Sequence, residues 1–152
     1  MKFLFRLEKV LQHRKRLEIL AQKDFYEADE KKRQAIDVMD EMINEISKAR
    51  QRAFTLQTHG GKPQRELADI DQFIKGQDVR IEIQRSKVKE IEKIVEAKRE
   101  ILQQKAIDYK IMDKLKDKKK NEFLSEVSKI EQKNSDEQSS IRMFYKEKEK
   151  GS

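Results

Sequence analysis

The sequence predicts an all-α chain, a long antiparallel two-helix coiled coil (an α-hairpin) with a short connecting helix. Three observations carry this. From Leu4 to Leu56 a strict 3-4 alternation runs Leu4, Leu7, Leu11, Arg14, Glu18, Ala21, Phe25, Ala28, Lys32, Ala35, Met39, Met42, Ile46, Ala49, Ala53, Leu56, and thirteen of these sixteen positions are apolar. Beyond the only proline, Pro63, a ladder with a step of seven runs Leu67, Ile74, Ile81, Val88, Val95, Leu102, Tyr109, Lys116, Phe123, Ile130, Glu137, Phe144. Between the two lies His59-Gly60-Gly61-Lys62-Pro63, a short turn. A seven-residue step keeps a narrow apolar stripe on one side of a slightly underwound helix, the condition for supercoiling. A short connection makes the two helices antiparallel neighbours.

Taken in order, the first helix is expected from about Phe3 to about Thr58, roughly 80 Å long, with neither Gly nor Pro inside it. Its stripe turns polar at Arg14 and Glu18. This reads either as a local shift onto Val10 and Leu17 or as a place where the helix leaves its partner. Small residues on the stripe (Ala21, Ala28, Ala35, Ala49, Ala53) let two backbones approach closely. The loop 59–63 ends the helix, because glycine accepts the left-handed conformation that closes a helix and proline cannot continue the ladder. Proline can nonetheless open the next helix. A lone glycine inside a helix costs about 1 kcal/mol and often marks a bend. Gly76 therefore divides the second half of the chain into a short helix, about 64–75, and a last helix, about 77–146. Leu67, Ile70, Phe73 and Ile74 make the short piece unusually apolar, packed on the hairpin or open to a partner. The last helix outruns the first by one to two dozen residues.

Charged residues are 43% of the chain and hydrophobic ones 36%, which also suits disorder. The sustained heptad register decides for order. The net charge of +7 comes from 36 basic against 29 acidic residues, with pairs such as Glu27/Lys31 and Asp29/Arg33 at the stabilising i,i+4 spacing. Lys2 to Arg16 and Lys110 to Lys120 are locally basic. Without a groove-reading motif they point away from nucleic acid and toward an acidic protein. There is no cysteine, which fits a reducing compartment. No stretch reaches the ~20 apolar residues of a membrane span, and the N-terminus lacks the apolar run of a signal peptide. The expected location is cytoplasmic.

Catalytic chemistry finds no foothold. His13 and His59 are far apart and neither has a second metal ligand at helix spacing. Gly60-Gly61-Lys62 lacks the upstream glycine, the hydroxyl residue and the strand of a phosphate loop. No carboxylate pair sits in a cleft that could separate its pKa values. No enzyme activity, cofactor, metal or small-molecule substrate is expected. Most aromatics fall on or beside the stripes as core. Phe3, Phe5 and Leu7 at one terminus, and Ile141, Phe144 and Tyr145 at the other, fall where an antiparallel hairpin brings the termini together, flanked by Lys2, Arg6, Lys9 and Arg142. They are the expected partner-binding residues.

The opening Phe3-Leu4-Phe5-Arg6-Leu7-Glu8-Lys9-Val10-Leu11 resembles the start of the flagellar export protein FliJ family. Lys114 to Phe123, continuing through Glu131-Gln132-Lys133 to Asp136-Glu137, is similar to that family's end. The resemblance implies a soluble, non-catalytic part of the flagellar type III export machine. Its fold would be like the central stalk of a rotary ATPase. Its partners would be the flagellar export ATPase, the membrane export gate protein and the export chaperones, and it would associate peripherally with the export apparatus at the inner membrane. The alternatives are a generic coiled-coil adaptor or chaperone, or the stalk protein of a virulence type III secretion system. Genes for an export ATPase and its regulator beside this one would separate them.

A single intramolecular hairpin predicts a monomer in isolation. Light scattering should return a mass near 18.2 kDa, with a hydrodynamic radius too large for a sphere of that mass. A dimer mass would refute it.

Overall fold

The computed structural model describes residues 1–151. Two helices account for nearly all of them, α1 (Glu8–Thr58) and α2 (Gln64–Lys150), and no strand occurs among the described residues. The turn between them falls where the sequence places it. Gly60 and Gly61 both take positive φ, 75° and 93°, so each is in the region that disfavours a Cβ. The His59 N–H donates to the Thr55 carbonyl at 3.2 Å, and the Leu67 N–H donates to the Pro63 carbonyl at 2.9 Å. Pro63 thus caps α2 with its carbonyl while lacking only an N–H that a helix start does not use.

The chain forms two compact units. One comprises Glu18–Gln104; the other comprises Met1–Leu17 with the chain from Lys105 onward.

In the unit 18–104, α1 and α2 run antiparallel. Ala21, Ala28, Ala35, Ile46 and Ala49 are buried from α1, and Ile70, Ile81, Val88 and Val95 from α2. These fall on the predicted stripes except Ile70, which belongs to a second row on α2: Ile70, Gln77, Gln84, Ile91 and Lys98, all buried or half-buried. A coiled-coil seam needs two rows per helix, and here the second is partly polar. Gln84 reaches across to the Ala35 carbonyl at 2.9 Å. Gln77, 3% exposed, donates to the Met42 carbonyl at 3.3 Å and to Glu45 at 2.7 Å, and accepts from Arg80 Nε at 2.8 Å. Ala35 carries only a methyl group, which leaves its helical carbonyl open to an amide from the facing helix. Phe25, half-buried, lies under the Arg99 guanidinium at 5.6 Å.

Gly76 does not divide α2. The predicted short helix 64–75 and the helix beginning at 77 are one continuous helix. The residues around Gly76 supply the reason. Arg80 lies across it, with guanidinium nitrogens 3.6 Å from the place a Cβ would occupy, and the same group sits 6.0 Å from the Phe73 ring centroid. Gln77, next in sequence, is buried and hydrogen-bonded through both its amide nitrogen and its oxygen. These contacts outweigh a glycine cost of about 1 kcal/mol. α2 also continues to Lys150 rather than to about 146, and Lys148 and Lys150 in its last turn suit the negative end of the helix dipole.

In the other unit, Arg14 keeps its place on the stripe: it is half-buried and donates from Nη1 to the Asp108 carbonyl at 2.9 Å. Of the two residues expected to take over, Val10 is exposed and Leu17 is half-buried. A guanidinium on a flexible stem can bury its methylenes and still find a carbonyl. Leu11 and Met112 are the buried apolar residues here. The first helix begins at Glu8, not near Phe3; residues 1–5 have no regular structure and Arg6 and Leu7 form a turn. Phe3 and Phe5 are half-buried and Leu4 is 80% exposed. That alternation belongs to an extended chain, in which i and i+2 face the same way; a helix would have pointed the two rings apart.

Val88 is 5% exposed, so Val88→Asp buries an unpaired charge and should melt much of the helix pairing, whereas Lys62→Asp in the exposed turn should do little. Gly76→Ala should raise stability by about 1 kcal/mol, because a methyl at that position meets only ordinary contacts at 3.6 Å. Thermal melts followed by circular dichroism read all three.

Candidate protein-binding surface

Two surfaces of the unit built from Met1–Leu17 and the chain beyond Lys105 hold the residues singled out from the sequence. The first is the N-terminal arm. Its extended backbone runs along α2, and the Phe3 ring meets that of Phe123 at 5.6 Å between centroids, tilted by 46°. Phe3, Phe5 and Leu7 are half-buried. Together with Leu115 and Phe123 they wall a groove of about 520 Å³, bordered by Lys2, Arg6 and Lys119. The arm is tied down at the start of α1, where the Glu8 N–H donates to the Phe5 carbonyl at 3.2 Å. There the Glu8 carboxylate also receives Lys116 Nζ at 2.9 Å and Gln12 Nε2 at 3.0 Å. The hydrogen bond from Lys116, then that from Gln12, holds the Glu8 carboxyl below the usual carboxylate range.

The second surface is the end of α2. From Ser128 to Lys150 every residue is exposed, so nothing from α1 or the arm covers this stretch. Phe123, Val127 and Ile130 share one face of the helix at four- and three-residue steps, and after the polar stretch 131–140 Ile141 and Phe144 return to that face, eleven and fourteen residues beyond Ile130. Phe123 and Val127 are half-buried, whereas Ile130, Ile141 and Phe144 are bare. Phe144 is 63% exposed and meets the neighbouring Tyr145 ring edge-on at 6.0 Å. Isolated helices in water owe little of their stability to propensity, and a bare apolar face on one is an invitation to a partner.

The six expected residues therefore do not form one tip. Phe3, Phe5 and Leu7 pack against α2 at Leu115 to Phe123, while Ile141, Phe144 and Tyr145 lie farther along the same helix. At ~1.5 Å per residue, Phe123 and Phe144 are roughly 30 Å apart along α2. The bare overhang of α2, Ser128 to Lys150, lies within the one to two dozen residues expected and is long enough to keep the two groups apart. Leu115 and Lys119, which complete the groove, were not singled out from the sequence. Leu115 lies off the apolar ladder, and Lys119 is legible only as part of the basic stretch Lys110 to Lys120 that points to an acidic protein.

His13 and His59 are both exposed. The His59 ring Nδ1 lies 3.0 Å from the Thr55 carbonyl and 3.3 Å from the Thr58 hydroxyl, finishing the end of α1. Among the described residues no cluster of His, Cys, Asp or Glu has the spacing to hold a metal ion. No helix among them is long and apolar enough to cross a membrane.

Comparison with known proteins adds one finding to this geometry. The family described as Flagellar FliJ protein matches residues 1–148, nearly the whole chain, and the chain belongs to that family. No curated protein and no solved structure matches it.

The sign of the Glu8 shift fixes a pH dependence. Its depressed folded-state pKa contributes stability that is present above the unfolded value of about 4.3 and is lost as pH falls through the folded value. Titration of Glu8 by NMR should give a midpoint below the ordinary carboxylate range. Lys116→Ala should move it back up; an unchanged midpoint would contradict the assignment.

Proposed function

We propose, from membership of the flagellar FliJ family, that this chain is a non-catalytic stalk-like component of the flagellar type III export apparatus. It binds the export ATPase ring, and it also meets the membrane export gate protein and the export chaperones. It works in the cytoplasm, held peripherally at the export apparatus on the inner membrane. The observation that carries the reading is the bare end of α2. A helix that runs exposed for some twenty residues past the last covering contact, and carries Ile141, Met143, Phe144 and Tyr145 bare near its end, is built to complete its packing inside another protein. A ring of subunits offers such a helix a central opening without demanding a pocket from it.

The family resemblance supplies the partners; the two surfaces supply the candidate contacts. Ile141, Phe144 and Tyr145 form the protruding contact, and Phe3, Phe5 and Leu7 form a second one nearer the paired helices. A non-catalytic component acts on a ring by binding its assembled state better than its free subunits. That requires only complementary surface, and both patches consist of large apolar groups interrupted by cations.

The test is a pull-down of the cognate export ATPase with nucleotide present, using two variants. Ile141→Ala with Phe144→Ala and Tyr145→Ala removes exposed side chains from one helix face. Phe3→Ala with Phe5→Ala removes rings that precede α1. Neither change touches the buried stripes, so circular dichroism should be retained in both. ATPase capture should fall at least tenfold in the first variant and measurably in the second. Capture unchanged in both would overturn the assignment of the contact residues, and failure of the unaltered chain to capture the ATPase would overturn the functional reading.

A further inference from the structure

The groove between the N-terminal arm and α2 has a composition that specifies its occupant. Its walls are Phe3, Phe5, Leu7, Leu115 and Phe123, all half-buried, with Leu4 projecting at the rim, and its charged border is Lys2, Arg6 and Lys119 with no carboxylate among the lining residues. Lys119 leans on Glu122 at 3.5 Å, whereas Lys2 and Arg6 take part in no ion pair among the described residues. In a chain where acidic and basic residues alternate nearly everywhere else, a concavity with cations alone is an exception. The backbone of the arm adds to it. Residues 2–4 belong to no helix and make no main-chain hydrogen bond among the described residues, so their N–H and C=O groups remain open to a second extended chain.

We infer that this groove binds an acidic peptide segment carrying a bulky apolar side chain. The apolar side chain enters between the arm and α2, against Phe5, Leu115 and Phe123. The carboxylates on either side of it meet Lys2 and Arg6, and Arg6 can take one of them in a bidentate pair. A bilayer surface fits less well, because membrane binding needs a broad apolar face that projects from the protein, and here only Met1 and Leu4 project while Phe3, Phe5 and Leu7 are half-buried. Single-stranded nucleic acid needs free ring faces for stacking, and the Phe3 and Phe123 rings are turned to each other. The inference deepens the N-terminal half of the contact surface proposed above by giving the chemistry of what it holds. It is tested without the export ATPase, so the two readings fail separately.

Fluorescence anisotropy with the full chain and three labelled synthetic peptides provides the experiment. One has the sequence Glu-Asp-Phe-Glu-Asp, one replaces each acid with lysine, and one keeps the acids but replaces the central phenylalanine with serine. The first should bind, weakening about tenfold as ionic strength rises through the range in which the Debye length shrinks from ~10 to ~3 Å. The other two should bind at least tenfold more weakly. Lys2→Glu with Arg6→Glu should abolish binding of the first peptide, Phe5→Ser should weaken it at least fivefold, and Lys62→Ala in the exposed turn should leave it unchanged. Circular dichroism checks that the helices persist in each variant. No binding of the first peptide overturns the inference, as does equal binding of the lysine or serine peptide. So does binding indifferent to the Lys2 and Arg6 changes. Sedimentation with phosphatidylglycerol vesicles in the absence of peptide binding would assign the cations to a lipid surface and overturn it as well.

Discussion

Everything in this chain depends on two backbones coming close enough for side chains of one helix to reach the carbonyls of the other. The alanines at 21, 28, 35 and 49 make that approach possible by keeping the α1 stripe shallow. Into that shallow face α2 sends not only Ile81, Val88 and Val95 but also amides. The Gln84 bond to the Ala35 carbonyl and the Gln77 bond to the Met42 carbonyl stand seven residues apart on both helices. They repeat the heptad as a polar pattern inside the apolar one. Apolar contacts alone tolerate a slip of one heptad, since an isoleucine meets an alanine again after seven residues. The hydrogen bonds of Gln77 tolerate it less, because after a slip of seven Val38 or Arg52 would stand where the Glu45 carboxylate now accepts from its amide.

The polar seam also shows what the amino-acid sequence can and cannot disclose. The ladder from Leu67 to Phe123 was legible because its members are apolar and hydrophobic periodicity is the primary signal of helix pairing. The companion row on α2 was not, because Gln77, Gln84, Lys98 and Lys105 look like solvated surface until the facing carbonyls are known. Gly76 misled for a related reason. A glycine's propensity is local, whereas the contacts that carry the helix through it involve Phe73 and Arg80 on neighbouring turns and Glu45 on the other helix. Arg14 was read as a defect in the stripe and proved to be a member of it.

At the N-terminus the signal was present in a different period. Phe3-Leu4-Phe5 alternates, and alternation is the mark of extended chain with one face buried; the charged residues after it belong to a helix and drew the whole segment into a helical reading. Once the arm is extended, its partner residues on α2 are set by geometry. Two rings on one side of the arm need a broad apolar patch, and Leu115 with Phe123, two turns apart on one helix, supplies it. The six candidate contact residues are large apolar groups near the chain ends, and the overhang of one to two dozen residues expected from the helix lengths is what keeps them apart, a consequence that the picture of a shared tip left out.

That length is itself a consequence of register. In the unit containing the termini, Arg14 to Asp108, Glu8 to Lys116 and Phe3 to Phe123 are successive rungs between the start of the chain and α2. Each is of a different kind: a hydrogen bond to a carbonyl, an ion pair and a ring contact. A slip of one heptad would break all three and would move about 10 Å of α2 into or out of cover. The bare segment would then begin near residue 121 or near 135 instead of at Ser128, and Ile130 would change from bare to covered in one direction while Phe123 lost its ring partner in the other. How far α2 protrudes, and which apolar side chains it presents there, is thus set by the same three rungs that seat the arm. The groove and the protruding helix are two outcomes of one register, and any partner that engages both must match a spacing the hairpin has already fixed.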